Sequence, residues 1–163
     1  MREALAALLP RLRRFARALT ANAADADDLV QTSLEKALLN LDRLDAAARL
    51  DAWMFRIMKN AWIDETRARK IRLRSYAPEE AGERVAGADA SGIEARADLG
   101  KVERIMASLP DEQRSALALV LVEGFSYREA AEALDVPIGT LTSRLARGRA
   151  AVEAAFADEE AAL

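Results

Sequence analysis

Thr140, Ser143, Arg144 and Arg147 recur at helical spacing beside an apolar stripe of Leu141, Leu145, Gly148, Val152 and Phe156. An arginine can donate two parallel hydrogen bonds to guanine O6 and N7, and a hydroxyl can serve a base or a phosphate. Arg149 flanks the apolar stripe and suits a backbone phosphate. Just upstream, Ser126 and Glu129 form an S-x-x-E capping box that opens a helix of about nine residues. Asp135-Val136-Pro137 ends it. A short helix, a tight turn and an amphipathic helix with guanidinium and hydroxyl groups outside is the layout of a helix-turn-helix reading the major groove. A plain solvated helix face would also carry arginines; the capped helix and three-residue turn favour DNA.

A second patch lies on a helix expected over Leu50–Arg72. Arg56, Lys59, Ile63, Thr66, Arg67 and Lys70 share one arc, whereas Leu50, Trp53, Ile57 and Ala61 are expected to face inward. Four cations on one face would release counterions from phosphate. Asn60 and Asp64 stand one turn apart beside them; both can read Watson–Crick edges, and a carboxylate has no use against phosphate. This mixture suits exposed bases better than duplex backbone. A solvated amphipathic face is the competing reading. Trp53 is expected in the core and Trp62 partly exposed. A third, acid-leaning face carries Asp28, Gln31, Thr32 and Glu35.

The chain of 163 residues has no cysteine and no histidine, so thiol-ligated zinc, disulfides and the usual nucleophilic dyads are excluded. No enzymatic chemistry, metal or cofactor is expected. No apolar run approaches the roughly 20 residues that cross a bilayer, and the first ten residues hold no signal-peptide core, so an intracellular, cytoplasmic protein without membrane insertion is expected. The net charge of −3 divides unevenly. Residues 1–75 hold 15 Lys/Arg against 10 Asp/Glu, 76–98 hold 2 against 6, and 99–163 hold 7 against 11. The positive charge needed to meet phosphate is therefore concentrated in the first segment.

The elements that must position these faces are all helical. Alanine, leucine, arginine and glutamate dominate, and β-branched residues are scarce. Leu5, Leu8, Leu9, Leu12, Phe15, Ala16 and Leu19 mark a first helix over Arg2–Leu19. Asn22 offers a stop, and Asp25, Asp27 and Asp28 load the first turn of a second helix ending near Leu41. Pro78, Gly82, Gly87 and Gly92, among Ala, Glu, Asp and Ser, interrupt the pattern over Tyr76–Asp98, which reads as a flexible acidic linker. Helices over Leu99–Ser108 and Pro110–Val122 then precede the helix-turn-helix. The expected fold is all-α: a domain over 1–75, a linker over 76–98 and a helix-turn-helix domain over 99–163.

These pieces in this order resemble the extracytoplasmic-function (ECF) sigma factors, the smallest members of the bacterial sigma-70 family. Asp25-Ala26-Asp27-Asp28-Leu29-Val30-Gln31 is similar to the family's D-A-x-D-L-V-Q motif. Trp53-Met54-Phe55-Arg56-Ile57-Met58-Lys59-Asn60, with Asp64 and Arg67, is similar to its W-L-x-x-I-x-x-N-x-x-x-D-x-x-R pattern. Leu109-Pro110, Gly124–Ala131, Val136–Thr140 and Ser143-Arg144-Leu145 resemble its C-terminal helix-turn-helix.

The resemblance implies a role for each face. Residues 1–75 would be sigma region 2, with Asp28, Gln31 and Glu35 docking core RNA polymerase. Arg56, Lys59, Asn60, Ile63, Asp64 and Arg67 would meet the promoter −10 element, with the Asp42–Arg49 loop beside a pocket for a flipped base. Residues 99–163 would be region 4, with Thr140, Ser143, Arg144, Arg147 and Arg149 at the −35 element. The linker would thread toward the polymerase's RNA path. One departure is Thr32, where the family usually has glutamate, so a charged polymerase contact is missing or moved to Glu35. The family is commonly held inactive by anti-sigma proteins, and the stretch Leu9–Leu19 looks most like the general-stress-response subgroup. Two other readings stay open: a stand-alone helix-turn-helix regulator, and a sigma mimic that sequesters an anti-sigma factor.

Overall fold

The computed structural model describes residues 1–75 and 93–162, and side chains within 1–75 and 97–162. Among these residues there are seven α-helices and no strand. They are α1 (Arg2–Thr20), α2 (Ala23–Leu39), α3 (Leu50–Ser75), α4 (Ile93–Ser108), α5 (Asp111–Leu117), α6 (Tyr127–Leu134) and α7 (Ile138–Ala161). A 3₁₀ turn, Leu41–Arg43, follows α2, and a π-helical turn, Ala118–Val122, extends α5.

The boundaries follow local chemistry. Ala21 closes α1 in the left-handed conformation (φ 53°), its N–H donating to Arg17 O. Asn22 then caps α2, its side-chain oxygen accepting from the Asp25 N–H at 3.0 Å. The expected stop is thus also a start. Most of the expected linker lies outside the described residues. Its last part is helical, since α4 begins at Ile93 rather than Leu99.

The apolar faces of α1, α2 and α3 meet around Leu12, Phe15, Leu19, Val30, Met54, Phe55 and Met58. This buried cluster does not stop at the first three helices. Leu109, Ala116–Leu119, Phe125, Leu134, Leu141 and Leu145 belong to it. An aromatic chain spans the junction: Phe15 meets Phe55 edge-on at 4.8 Å, and Phe55 meets Phe125 at 5.4 Å. Packing on two sides of α3 corrects the expected inward set. Met54, Phe55, Met58, Ala61 and Trp62 are buried, whereas Leu50, Trp53 and Ile57 are only partly so. The two tryptophans exchange their expected environments: Trp62 is buried beside α2 with Arg69 over its ring, and its Nε1–H donates to Asp111 Oδ1 of α5 at 3.3 Å.

Arg114 is the polar counterpart of this junction. It is 7% exposed and donates to Met106 O (2.7 Å), Ala107 O (2.9 Å) and Leu109 O (2.8 Å) at the end of α4. It also donates to Leu19 O near the end of α1. These are the carbonyls that a helix C-terminus leaves without intrahelical partners. One guanidinium therefore satisfies two helix ends and ties the two halves together.

Candidate nucleic-acid interface

The helix-turn-helix is built from its caps. Ser126 Oγ accepts from the Glu129 N–H at 3.2 Å, and the Glu129 carboxylate accepts from the Ser126 N–H at 2.7 Å. Hydrogen bonding to Ser126 holds the Glu129 carboxyl below its ordinary range. At the other end of α6, Asp135 is left-handed (φ 56°), a conformation that a short polar side chain tolerates. The Val136 N–H donates to Ala131 O at 3.0 Å and the Asp135 N–H to Glu132 O at 3.2 Å, a Schellman closure. Pro137 then starts α7 with its fixed φ.

Leu141, Leu145 and Gly148 form the buried stripe of α7. A Cβ at Gly148 would lie 2.8 Å from Leu117 Cδ1, so any side chain there would force Leu117 or α7 to shift where α7 crosses α5. The opposite side presents Ser143 and Arg147 exposed, with Thr140 and Arg144 partly buried beside them. Ser143 Oγ donates to Gly139 O at 3.0 Å, which leaves its lone pairs outward. Arg144 pairs with Glu112 at 3.5 Å. Arg149 sits apart from the others: it donates to the Tyr127 hydroxyl at 3.3 Å and borders an apolar groove lined by Val102, Met106, Leu121, Val152 and Phe156.

The face on α3 is assembled differently. Asn60, Asp64 and Arg67 are exposed, and Ile63 is half-buried. Asp64 faces Lys36 at 3.9 Å. Arg56 and Lys59, however, turn toward the C-terminal end of α6. The Arg56 guanidinium donates to Glu132 O, and Lys59 Nζ donates to Leu134 O at 3.2 Å. Burial lowers the Lys59 pKa, with Arg144 and Arg56 acting the same way and the carboxylates of Asp135 and Glu112 opposing. A groove beside them is lined by Lys59, Ile63, Thr66, Arg67 and Lys70 from α3 and by Asp111, Glu112 and Ser115 from α5.

Asp28, Gln31 and Glu35 are brought together on the exposed side of α2, with Gln31 donating to Glu35 at 3.2 Å. With Thr32 they rim a groove whose other wall is Trp62, Glu65 and Arg69 of α3. Arg69 donates to both carboxylate oxygens of Asp25 (2.9 and 3.1 Å) and to Glu65 (2.8 Å), and lies 5.6 Å over Trp62. These hydrogen bonds raise the Arg69 pKa, and the bond from Arg69 lowers that of Glu65. Sequence reasoning missed this cluster. The only signal was Glu65 and Arg69 at i,i+4 spacing. Among the described residues no group of His, Cys, Asp and Glu is arranged to hold a metal ion, and no helix is long and apolar enough to cross a membrane.

Comparison with known proteins bears on both halves. Residues 5–59 match the family model described as the Sigma2 domain of PhyR, and residues 99–152 match the one described as Sigma-70, region 4. The chain is 37% identical over 158 residues to the ECF RNA polymerase sigma factor EcfG of Rhodopseudomonas palustris, covering 94% of this chain and 83% of that one. It is 35% identical over 139 residues to the ECF RNA polymerase sigma factor SigM of Mycobacterium tuberculosis, covering 85% and 68%. Among solved structures, the complex of the sigma factor RpoE with the anti-sigma factor NepR from Bartonella quintana matches with a TM-score of 0.76 at 30% identity, over 95% of each chain.

Proposed function

The chain belongs to the ECF RNA polymerase sigma factors, and on that premise we propose how its surfaces divide the work of promoter-specific transcription initiation. Residues 1–75 form the region that meets core polymerase and the −10 element, and residues 99–163 form the region that meets the −35 element. Asp28, Gln31 and Glu35 offer polymerase an acidic face to which no cation is paired among the described residues, which suits a basic partner helix. Thr32 in that row is uncharged, so Glu35 carries the contact. Asn60 and Asp64 read unstacked bases while Arg56, Lys59 and Arg67 follow the strand. Holding bases out of the stack offsets an unpairing cost of a few kcal/mol per base. Thr140, Ser143, Arg144 and Arg147 read duplex in the major groove, and Arg149 reaches a flanking phosphate.

No bond is made or broken by this chain, and its work is done in the cytoplasm on the polymerase. RpoE was crystallised with an anti-sigma factor, and a protein of that kind is the natural regulator here.

The observation that carries this reading is the pairing of two DNA-suited faces, on α3 and α7, with a separate acidic face on α2. Transcription in vitro with core polymerase on a randomised promoter library tests it. Transcripts should depend on core polymerase and select two separated motifs. Tight, specific duplex binding by the chain alone, with no dependence on core polymerase, would instead mark a stand-alone regulator.

A further inference from the structure

Arg69 does not belong to the DNA row of its own helix. It stands two residues beyond Arg67, about 200° around a helix of 3.6 residues per turn, and so lies on the far side of α3 from Asn60, Ile63 and Arg67. Among the described residues it is the only cation lining the α2–α3 groove, which also holds the carboxylates of Asp25, Asp28, Glu35 and Glu65. Its two terminal nitrogens donate to the two oxygens of Asp25, at 2.9 and 3.1 Å, and its Nε donates to Glu65 at 2.8 Å. The Trp62 ring lies 5.6 Å beneath it.

Asp25 is the point at which α2 is held. Its backbone N–H donates to the Asn22 side chain that caps the helix, at 3.0 Å, and its own side chain is only 10% exposed where it meets Arg69. The cap fixes its backbone and α3 fixes its carboxylate. Asp28 follows one turn later, with Gln31 and Glu35 behind it, so the exposed row begins where Arg69 grips. Asp28 to Glu35 spans seven residues, about 10 Å along the axis. A partner helix that meets both carboxylates needs α2 at one rotation and one height on α3. A two-pronged guanidinium–carboxylate pair fixes both, because parallel bonds resist rotation where a point charge would not.

We propose that Arg69 is a positioning residue for the docking of core polymerase. By clamping Asp25 and Glu65 to α3 it sets the rotation of α2 at which Asp28, Gln31 and Glu35 meet a basic partner helix. It also withdraws Asp25 and Glu65 from competition for that helix's cations. This rests on the assignment of the α2 row to polymerase made above and adds the residue that aims it. The role has a sign that charge alone does not give. Removing a cation from an acidic face strengthens its attraction for a basic helix, whereas losing the clamp weakens docking by misplacing the row.

The test reads affinity of the full chain for core polymerase without DNA, by competition with a labelled sigma factor. It is run at a temperature where circular dichroism shows each variant folded. Arg69→Gln should bind about three- to tenfold more weakly than the parent despite its more acidic face, the scale on which members of one network couple. Arg69→Lys keeps the charge without the planar fork and should fall between the two. In a chain that already carries Asp28→Asn and Glu35→Gln, adding Arg69→Gln should weaken binding by less than about twofold, because the clamp acts through that row.

Arg69→Gln binding core polymerase as tightly as the parent, or more tightly, would overturn the proposal. So would an equal loss in the chain altered at Asp28 and Glu35, which is what a general packing defect produces. Where Arg69→Gln is unfolded at the assay temperature, Arg69→Lys decides: weaker docking supports the clamp, and parental docking removes it. Unchanged core affinity on Asp28→Asn with Glu35→Gln alone would show that polymerase does not use this row. The assignment of α2 would then fall, and the clamp's role with it.

Discussion

The faces on α3 and α7 both carry arginines and meet opposite surroundings. On α7, Arg147 and Ser143 stand in solvent because the helix is packed along one stripe only, Leu141–Leu145–Gly148. On α3, packing comes from two directions. α1 and α2 cover Met54, Phe55 and Met58, while α6 draws in Arg56 and Lys59 and α5 accepts from the Trp62 Nε1–H. A guanidinium in water is available to a ligand at little cost, whereas one bonded to a helix terminus must first be released. An open face is therefore set for immediate contact, and a covered one is suited to control.

That contrast depends on the two halves being held as one body, and the largest test removes the residue that joins them. Arg114→Ala strands the carbonyls of Leu19, Ala107 and Leu109 and leaves Met106 O with only the Leu109 N–H. It should cost about 3–5 kcal/mol in a denaturant titration, since a buried charged donor is lost from its acceptors. Retention of full stability would mean that water serves those carbonyls and that the junction is looser than described.

Gly148→Val bears on the α7 face. Its side chain meets Leu117, which is 2% exposed. The forced shift of α7 against α5 should cost about 1–3 kcal/mol. It should also weaken −35-dependent transcription while core polymerase still binds, as competition with a labelled sigma factor would report. Equal loss of both activities would show that the faces are not separable.

Arg147→Ala sharpens the contrast at a single side chain. Loss of the base or phosphate contact proposed for it should reduce transcription from a promoter with its −35 element by about tenfold. Thermal stability should stay within about 0.5 kcal/mol of the parent, as for other surface changes. A large stability loss would mean that the α7 face is not as free as it stands here.

The smallest effect is an acid response. Burial raises the Asp51 pKa, but hydrogen bonds from Arg49, the Ala52 N–H and Arg11 outweigh it and hold the group below its ordinary value. Glu129 is also lowered, by Ser126 and Arg49. A carboxylate depressed in the folded state adds stability that is complete above its unfolded pKa and is lost as pH falls through the folded one. Stability should therefore be level near neutrality and decline below roughly pH 4. Asp51→Asn should flatten that decline; an unchanged acid limb would remove Arg11–Asp51–Arg49 as a contributor.

How much could be read from the chain depends on how local the cause is. The capping box at Ser126, the turn at Asp135–Pro137 and the stripe of α7 are set by residues within one or two turns of each other, and all stand where spacing put them. So do the acidic first turn of α2 and the grouping of Asp28, Gln31 and Glu35. The environments of Trp53 and Trp62 were not legible. A helical wheel cannot tell one apolar flank from another until it is known which neighbours pack there, and the Trp62 Nε1–H finds its acceptor on a segment 49 residues away.

The sequence by itself determined an all-helical chain, the caps and turns that bound the helices, and two faces whose donors suit DNA. Each rests on periodicity and on hydrogen bonds between near neighbours. Tertiary structure alone decided that Arg114 would staple two helix ends, that Arg69 would bind Asp25 across the α2–α3 groove, and that Arg56 and Lys59 would spend their donors on α6. The reason is physical: a long cation reaches whichever acceptors packing brings within about 3 Å, and sequence spacing carries no record of acceptors on another helix.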